Sequence, residues 1–227
     1  MKRITGWSTV FFLALVLIGC ATPQKNAMKN FSDNRNSLDE VRGQIDRTLY
    51  SADNLMRAPA TEIVNAQTEY STNVKSLRKL SDQLEKDAKD ARDQRIEYLT
   101  EWERARLNVT HSELKRTSDQ RRDEVSKILS DLETSLRLAS ESVAPLVVDL
   151  EDIDRLAGND PTPAGIAAVR QSGVMQTAQQ RALTANNRLD VAASQFNRAL
   201  AALSPQPNAR STDAGGGSGA TGSGTRY

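Results

Sequence analysis

The chain has 227 residues, 26% of them charged and 38% hydrophobic, a length that accommodates one large domain or two small ones. Lys plus Arg is 30 and Asp plus Glu is 29, so no global field recommends a nucleic acid or another polyanion as partner. Aromatics are 4% and the only cysteine is Cys20, which argues against a roomy aromatic-lined pocket and excludes both an intramolecular disulfide and a thiolate metal cluster.

Lys2 and Arg3 give a positive start, and Val10 to Ile18 is an apolar run of nine residues. This is the layout of a secretory signal peptide. The run is far shorter than the roughly 20 residues a bilayer-spanning helix needs. It ends in Leu17-Ile18-Gly19-Cys20, which resembles the lipobox of bacterial lipoproteins. The resemblance implies a diacylglycerol thioether on the Cys20 sulfur, cleavage between Gly19 and Cys20, and an acylated new amino terminus. Each buried CH₂ contributes about 0.8 kcal/mol, so two or three chains make a durable anchor where one does not. A plain signal peptide or a short uncleaved anchor is the rival, and a lone cysteine at that site argues against both. Ala21 stands where an Asp would resemble the inner-membrane retention signal, which favours the outer membrane, facing the periplasm. Residues 1–19 are thus expected to be a signal peptide and residues 20–30 a lipidated polar tether.

Residues 31–204 read as an all-α coiled-coil domain: an elongated antiparallel bundle of about four helices. From Leu38 onward the apolar residues fall at alternating spacings of three and four, the period of a helix that offers one stripe to a partner. The first stripe is Leu38, Val41, Ile45, Thr48, Ala52 and Leu55, opened by Ser37 and Glu40 in capping-box spacing and closed at Ala58-Pro59-Ala60. The second runs Tyr70, Val74, Leu77, Ser81, Leu84, Ala88, Ala91, Arg95, Tyr98, Trp102, Ala105 and Val109, in a helix expected from about Thr61 to Val109. A helix that long persists only by packing along another.

The third stripe is Val125, Leu129, Leu132, Leu136, Ala139, Val143, Leu146, Leu150 and Ile153. Continuing the second stripe by sevens instead meets Arg116, Asp123, Ser130 and Arg137, so the phase shifts between Val109 and Ser118. A turn joining antiparallel helices, with Thr110 and Glu113 as a second capping box, explains the shift; the rival is one very long helix with a skip. Pro145 lies within the third stripe and is expected to bend that helix near Glu141. Gly158 to Pro163 reads as a stop and a start. The fourth stripe then runs Ala168, Gln171, Met175, Ala178, Ala182, Ala185, Leu189, Ala192, Phe196, Ala199 and Leu203. Residues 205–227 turn to Pro, Asn, Ser and Gly, with half of the 12 glycines after Asp213. Such a tail buries too little to order itself and is expected to be disordered.

Chemistry-bearing constellations are sparse. His111 is the one histidine; it falls at the expected turn with no second ligand implied nearby, and reads as a solvated turn residue. Asp149 to Asp154 has the start of a calcium loop, but counting from Asp152 the sixth and twelfth positions are Ala157 and Pro163 rather than Gly and Glu. The Gly-rich tail lacks the Gly-Lys-Ser/Thr of a phosphate cradle. No catalytic residue, metal or cofactor is therefore expected. Arg95, Tyr98 and Trp102 form the one suggestive strip. Arg95 reads either as a register-setting polar residue whose head reaches a carboxylate, or with the two aromatics as a patch for docking a partner protein.

From Glu101 to Leu203 the order of features resembles a family of predicted bacterial lipoproteins of unknown function. The residues that carry it are Glu101-Trp102-Glu103, Ser112, Lys115-Arg116 to Ser118, Val143-Ala144-Pro145-Leu146-Val147 and Ile166-Ala167-Ala168-Val169. Asp152-Ile153-Asp154-Arg155 and the long Gly/Ser tail depart from that pattern. The resemblance implies an anchored helical rod and no activity. The function expected is therefore a non-enzymatic lipid-anchored scaffold or adaptor, joined to membrane lipid through acylated Cys20 and binding envelope proteins, with self-association left open. The alternative is a membrane-active helical bundle that inserts into bilayers.

Overall fold

The computed structural model describes residues 21–204, so the signal peptide, Cys20 and the Gly/Ser tail lie outside the described residues. The fold is all-α, with α1 (Ala21–Arg57), α2 (Ile63–Leu107), α3 (Ser112–Asn159), α4 (Pro163–Gln171) and α5 (Val174–Leu203). α1 packs on α2, α2 on α3, α3 on α5 and α5 back on α1. These four antiparallel neighbours close a ring around one core. At 1.5 Å per residue the 48 residues of α3 span about 72 Å.

The core is filled by the stripes. All nine residues of the third, Val125 to Ile153, are buried, as are all six of the first. α3 also buries Ser140, Val147 and Ala157; it packs on α4 as well as on its ring neighbours α2 and α5, and so presents a wider apolar arc than a single seam needs. Each fully buried Leu or Val contributes about 1.5 to 3 kcal/mol, and the series offsets the ordering cost of helices this long. On α2 the stripe is buried from Tyr70 to Leu84 and at Ala91. From Arg95 to Ala105 it is only half-buried.

Several expectations need correction. The stretch taken as a polar tether is helical from Ala21, and the helix passes without interruption through Ser37 and Glu40, so those two open nothing. The turn between α2 and α3 is present, but its cap differs. The N-cap residue is His111, in extended conformation and without a side-chain hydrogen bond, and Thr110 stands outside the helix. The other side of the turn closes through the amides of Asn108 and Val109, which donate to the carbonyls of Ala105 (3.2 Å) and Arg106 (3.0 Å). Pro145 lies inside α3, where the third stripe placed it.

The fourth stripe proves to be two helices, which makes five among the described residues. Gly173 adopts φ +73°, the left-handed region, and breaks the run before α5. The phase changes with it: Ala168 and Gln171 are exposed, whereas Gly165, Ile166 and Val169 are buried. α4 opens as its sequence suggests, with Thr162 as N-cap accepting from the Gly165 amide at 3.3 Å and proline in its first turn. Gly165 has no room for a side chain, since a Cβ there would come within 2.1 Å of the Asp160 carbonyl oxygen.

Candidate functional site

Seams between antiparallel helices specify neighbours through the polar residues at their edges. Each seam of this ring carries its own. Between α1 and α2 lies a buried polar node: Gln44 Nε2 donates to the carbonyl (3.1 Å) and Oδ1 (3.2 Å) of Asn73. Arg47 donates to Gln44 Oε1 at 2.8 and 3.0 Å, and Thr48 Oγ1 to the Gln44 carbonyl at 2.7 Å. α1 meets α5 through the ion pair of Arg42 with Asp190. α3 meets α5 through Arg181, whose Nη1 donates to Asp149 Oδ1 (2.8 Å) and to the Pro145 carbonyl (2.9 Å).

The α2–α3 seam is the most heavily latched. Arg78 grips Glu151 with two parallel bonds of 2.7 and 2.8 Å, the fork geometry that makes Arg–carboxylate pairs directional. Tyr70 is fully buried and its hydroxyl donates to the Leu150 carbonyl at 2.8 Å. Burial pushes its pKa far above the ordinary phenol value, and the nearby Asp154 carboxylate adds to the rise. Nearer the turn, Arg106 pairs with both Asp119 and Glu103. The hydrogen bond from Arg106 holds the Asp119 carboxyl below its usual range.

Arg95, Tyr98 and Trp102, the strip singled out by spacing, face this seam. Arg95 Nε donates to Glu133 Oε2 at 2.8 Å, with both side chains about one quarter exposed (26% and 25%). The Tyr98 and Trp102 rings meet edge to face, centroids 5.8 Å apart at 72°, an arrangement favoured by ring quadrupoles. Trp102 Nε1 donates to Ser118 Oγ at 3.0 Å. The three therefore hold the upper α2–α3 hairpin together, each with a partner on α3 or in the strip and part of its surface in water. Sequence spacing found the residues. It did not find Glu133 or Ser118, because the register between two helices is absent from either helix alone.

The remaining surface offers shallow concavities. One is lined by Val74, Lys75, Arg78, Lys79, Glu151, Asp154 and Arg155, across α2 and α3. Its cation and carboxylate at the base, Arg78 and Glu151, neutralise each other. Asp154 already accepts from Gln67 and Ser71, both at 3.2 Å. Among the described residues no group of three His, Cys, Asp or Glu could hold a metal ion, and no helix is long and apolar enough to cross a membrane. His111 is exposed at the turn.

By fold the chain is an all-α, ring-ordered helical bundle with charged latches at its seams. Comparison with family models, with curated proteins and with solved structures returns no match.

Proposed function

We propose that the protein is a lipid-anchored, non-enzymatic scaffold or adaptor of the bacterial envelope, tethered through acylated Cys20 at the outer membrane and binding partner proteins along its rod. The observation that carries this reading is Leu17-Ile18-Gly19-Cys20 placed at the end of an apolar run, with the described residues helical from Ala21 onward. A lipid at that cysteine would be coupled to a rigid bundle about 70 Å long by helix geometry. The bundle's polar seam residues are largely spent on one another, in ion pairs that fix shape. That favours a role built on reach and surface.

The exposed edges of Arg95, Tyr98 and Trp102 are the proposed docking patch, since Arg and aromatic residues anchor interfaces more often than other types. Cell fractionation and mild in-cell crosslinking test both parts. Cys20→Ser is expected to leave the chain unprocessed and to release it from the acylated membrane fraction. Arg95→Ala with Trp102→Ala is expected to keep the anchor and lose copurifying envelope proteins. A Cys20→Ser chain that is processed and membrane-bound like the wild type refutes the anchor; an unchanged partner set in the double variant refutes the patch.

A further inference from the structure

Chain topology places three features at one end of the bundle. In an antiparallel order the start of α1, the α2–α3 turn and the end of α5 all lie together, and Arg121 near the start of α3 bonds the Ala202 carbonyl at 2.5 Å. The α1–α2 loop and α4 occupy the opposite end. The register shows that the ends are not level. Gln44 lies beside Asn73, so counting equal steps back along α1 and forward along α2 brings Ala21 opposite Ile96. α2 continues from there to Leu107, an overhang of about 16 Å at 1.5 Å per residue.

The overhanging tip has its own surface. Leu107 is 70% exposed and Leu114 44%, the two flanking the turn. Around the turn stand Arg104, Arg106, Lys115 and Arg116; Arg104 pairs with Glu101, Arg106 with Glu103 and Asp119, and Arg116 with Glu113, so cations and carboxylates balance there, with the Arg104 and Arg116 side chains 69% and 60% exposed. Exposed leucines rimmed by solvent-facing Arg and Lys fit a phospholipid interface, where Leu enters the acyl boundary and surface ion pairs, individually weak, exchange a carboxylate for a phosphate. A bundle held by lipid at the residue before Ala21 cannot keep this tip clear of the membrane while standing upright. Driving the full overhang downward would carry Arg104 and Arg106 into hydrocarbon, which is unfavourable. Inclining the bundle brings the anchor and the two leucines onto one plane.

We propose that the α2–α3 tip, Leu107 and Leu114 with Arg104, Lys115 and Arg116, is a second membrane contact that seats on the phospholipid surface holding the anchor. This rests on the reading of Cys20 as the acylated residue. The full-length lipidated protein, reconstituted into phosphatidylethanolamine–phosphatidylglycerol vesicles, tests it. With Cys20 consumed as a thioether, Asn108→Cys supplies one free thiol at the tip and Ala60→Cys one at the far end, each labelled with an environment-sensitive dye. The dye at position 108 is expected to shift to the blue and lose fluorescence to brominated lipid, while the dye at position 60 does neither. Adding Leu107→Asp and Leu114→Asp to the Asn108→Cys chain is expected to abolish both effects. A tip dye as wet as the far-end dye, on protein whose intact mass shows the acyl chains, overturns the tip contact and leaves the anchor standing. Tip signals that persist in the double Asp chain also overturn it, and a chain without acyl mass overturns anchor and tip together.

Discussion

Tyr70→Phe deletes one oxygen from the centre of the α2–α3 seam and changes little else, because the side chain is fully buried. At pH 7 the loss is the hydroxyl's bond to the Leu150 carbonyl. That carbonyl lies within the α3 ladder and keeps its helical donor, so the cost is the net worth of a neutral hydrogen bond, about 1 kcal/mol. The dependence on pH is more telling. Folding raises the Tyr70 pKa above the ordinary value of 10.0, so its contribution is complete below that value and is lost as pH rises beyond it. At one unit above, pH 11, ionisation of the unfolded tyrosine favours unfolding of the wild type by about 1.4 kcal/mol. Phenylalanine has no such term, and every other titration is common to both chains and cancels. The wild type should therefore be more stable than the variant by about 1 kcal/mol at pH 7 and slightly less stable at pH 11. Urea unfolding followed by far-ultraviolet circular dichroism at both values measures the difference. A gap that stays constant from pH 7 to 11 would show that Tyr70 ionises as easily folded as unfolded, and the buried seam described above would be wrong.

Three further outcomes follow from the same geometry. Gly173→Ala meets no atom within 4 Å of the new Cβ, so its cost is purely the left-handed backbone, about 1 to 2 kcal/mol, visible as a lower Tm; an unchanged Tm would mean the α4–α5 break does not need that conformation. Ala185→Leu forces a larger side chain into the fully buried α5 stripe and should destabilise by about 1 to 3 kcal/mol. Leu183→Ala, at a position 67% exposed, should stay within about 0.5 kcal/mol, and similar effects of the two would refute the assigned face. A double-mutant cycle of Arg95→Met and Glu133→Gln should give a coupling of at most about 1 kcal/mol, reduced by added salt, since both groups keep partial solvent contact. Zero coupling at low salt would remove Arg95 from the seam.

The sequence by itself determined the fold class, the apolar stripes of α1, α3 and α5, and the place of a break between α2 and α3. A spacing of three and four is the mark of a helix with one covered face, and the phase slip after Val109 marked a break there; that the break is a turn and not a skip within one long helix was decided by the structure. Leu129, Leu136, Val143 and Leu150 were legible as core because burial repeats with the helix period. Tertiary structure decided what periodicity cannot carry. A stripe states that a helix has a partner without naming it, so the ring order of α1, α2, α3 and α5 and the extra arc on α3 appear only when the helices pack. Gly173 illustrates the limit in the other direction. The stripe continued through it in sequence, yet a left-handed residue rotates everything before it, exposing Ala168 and burying Ile166 and Val169. The partners Glu133 and Ser118, the node at Gln44 and the 16 Å overhang, about eleven residues of helix rise, all depend on the axial offset between helices. That offset is set jointly by side chains on two elements, and neither element's sequence contains it.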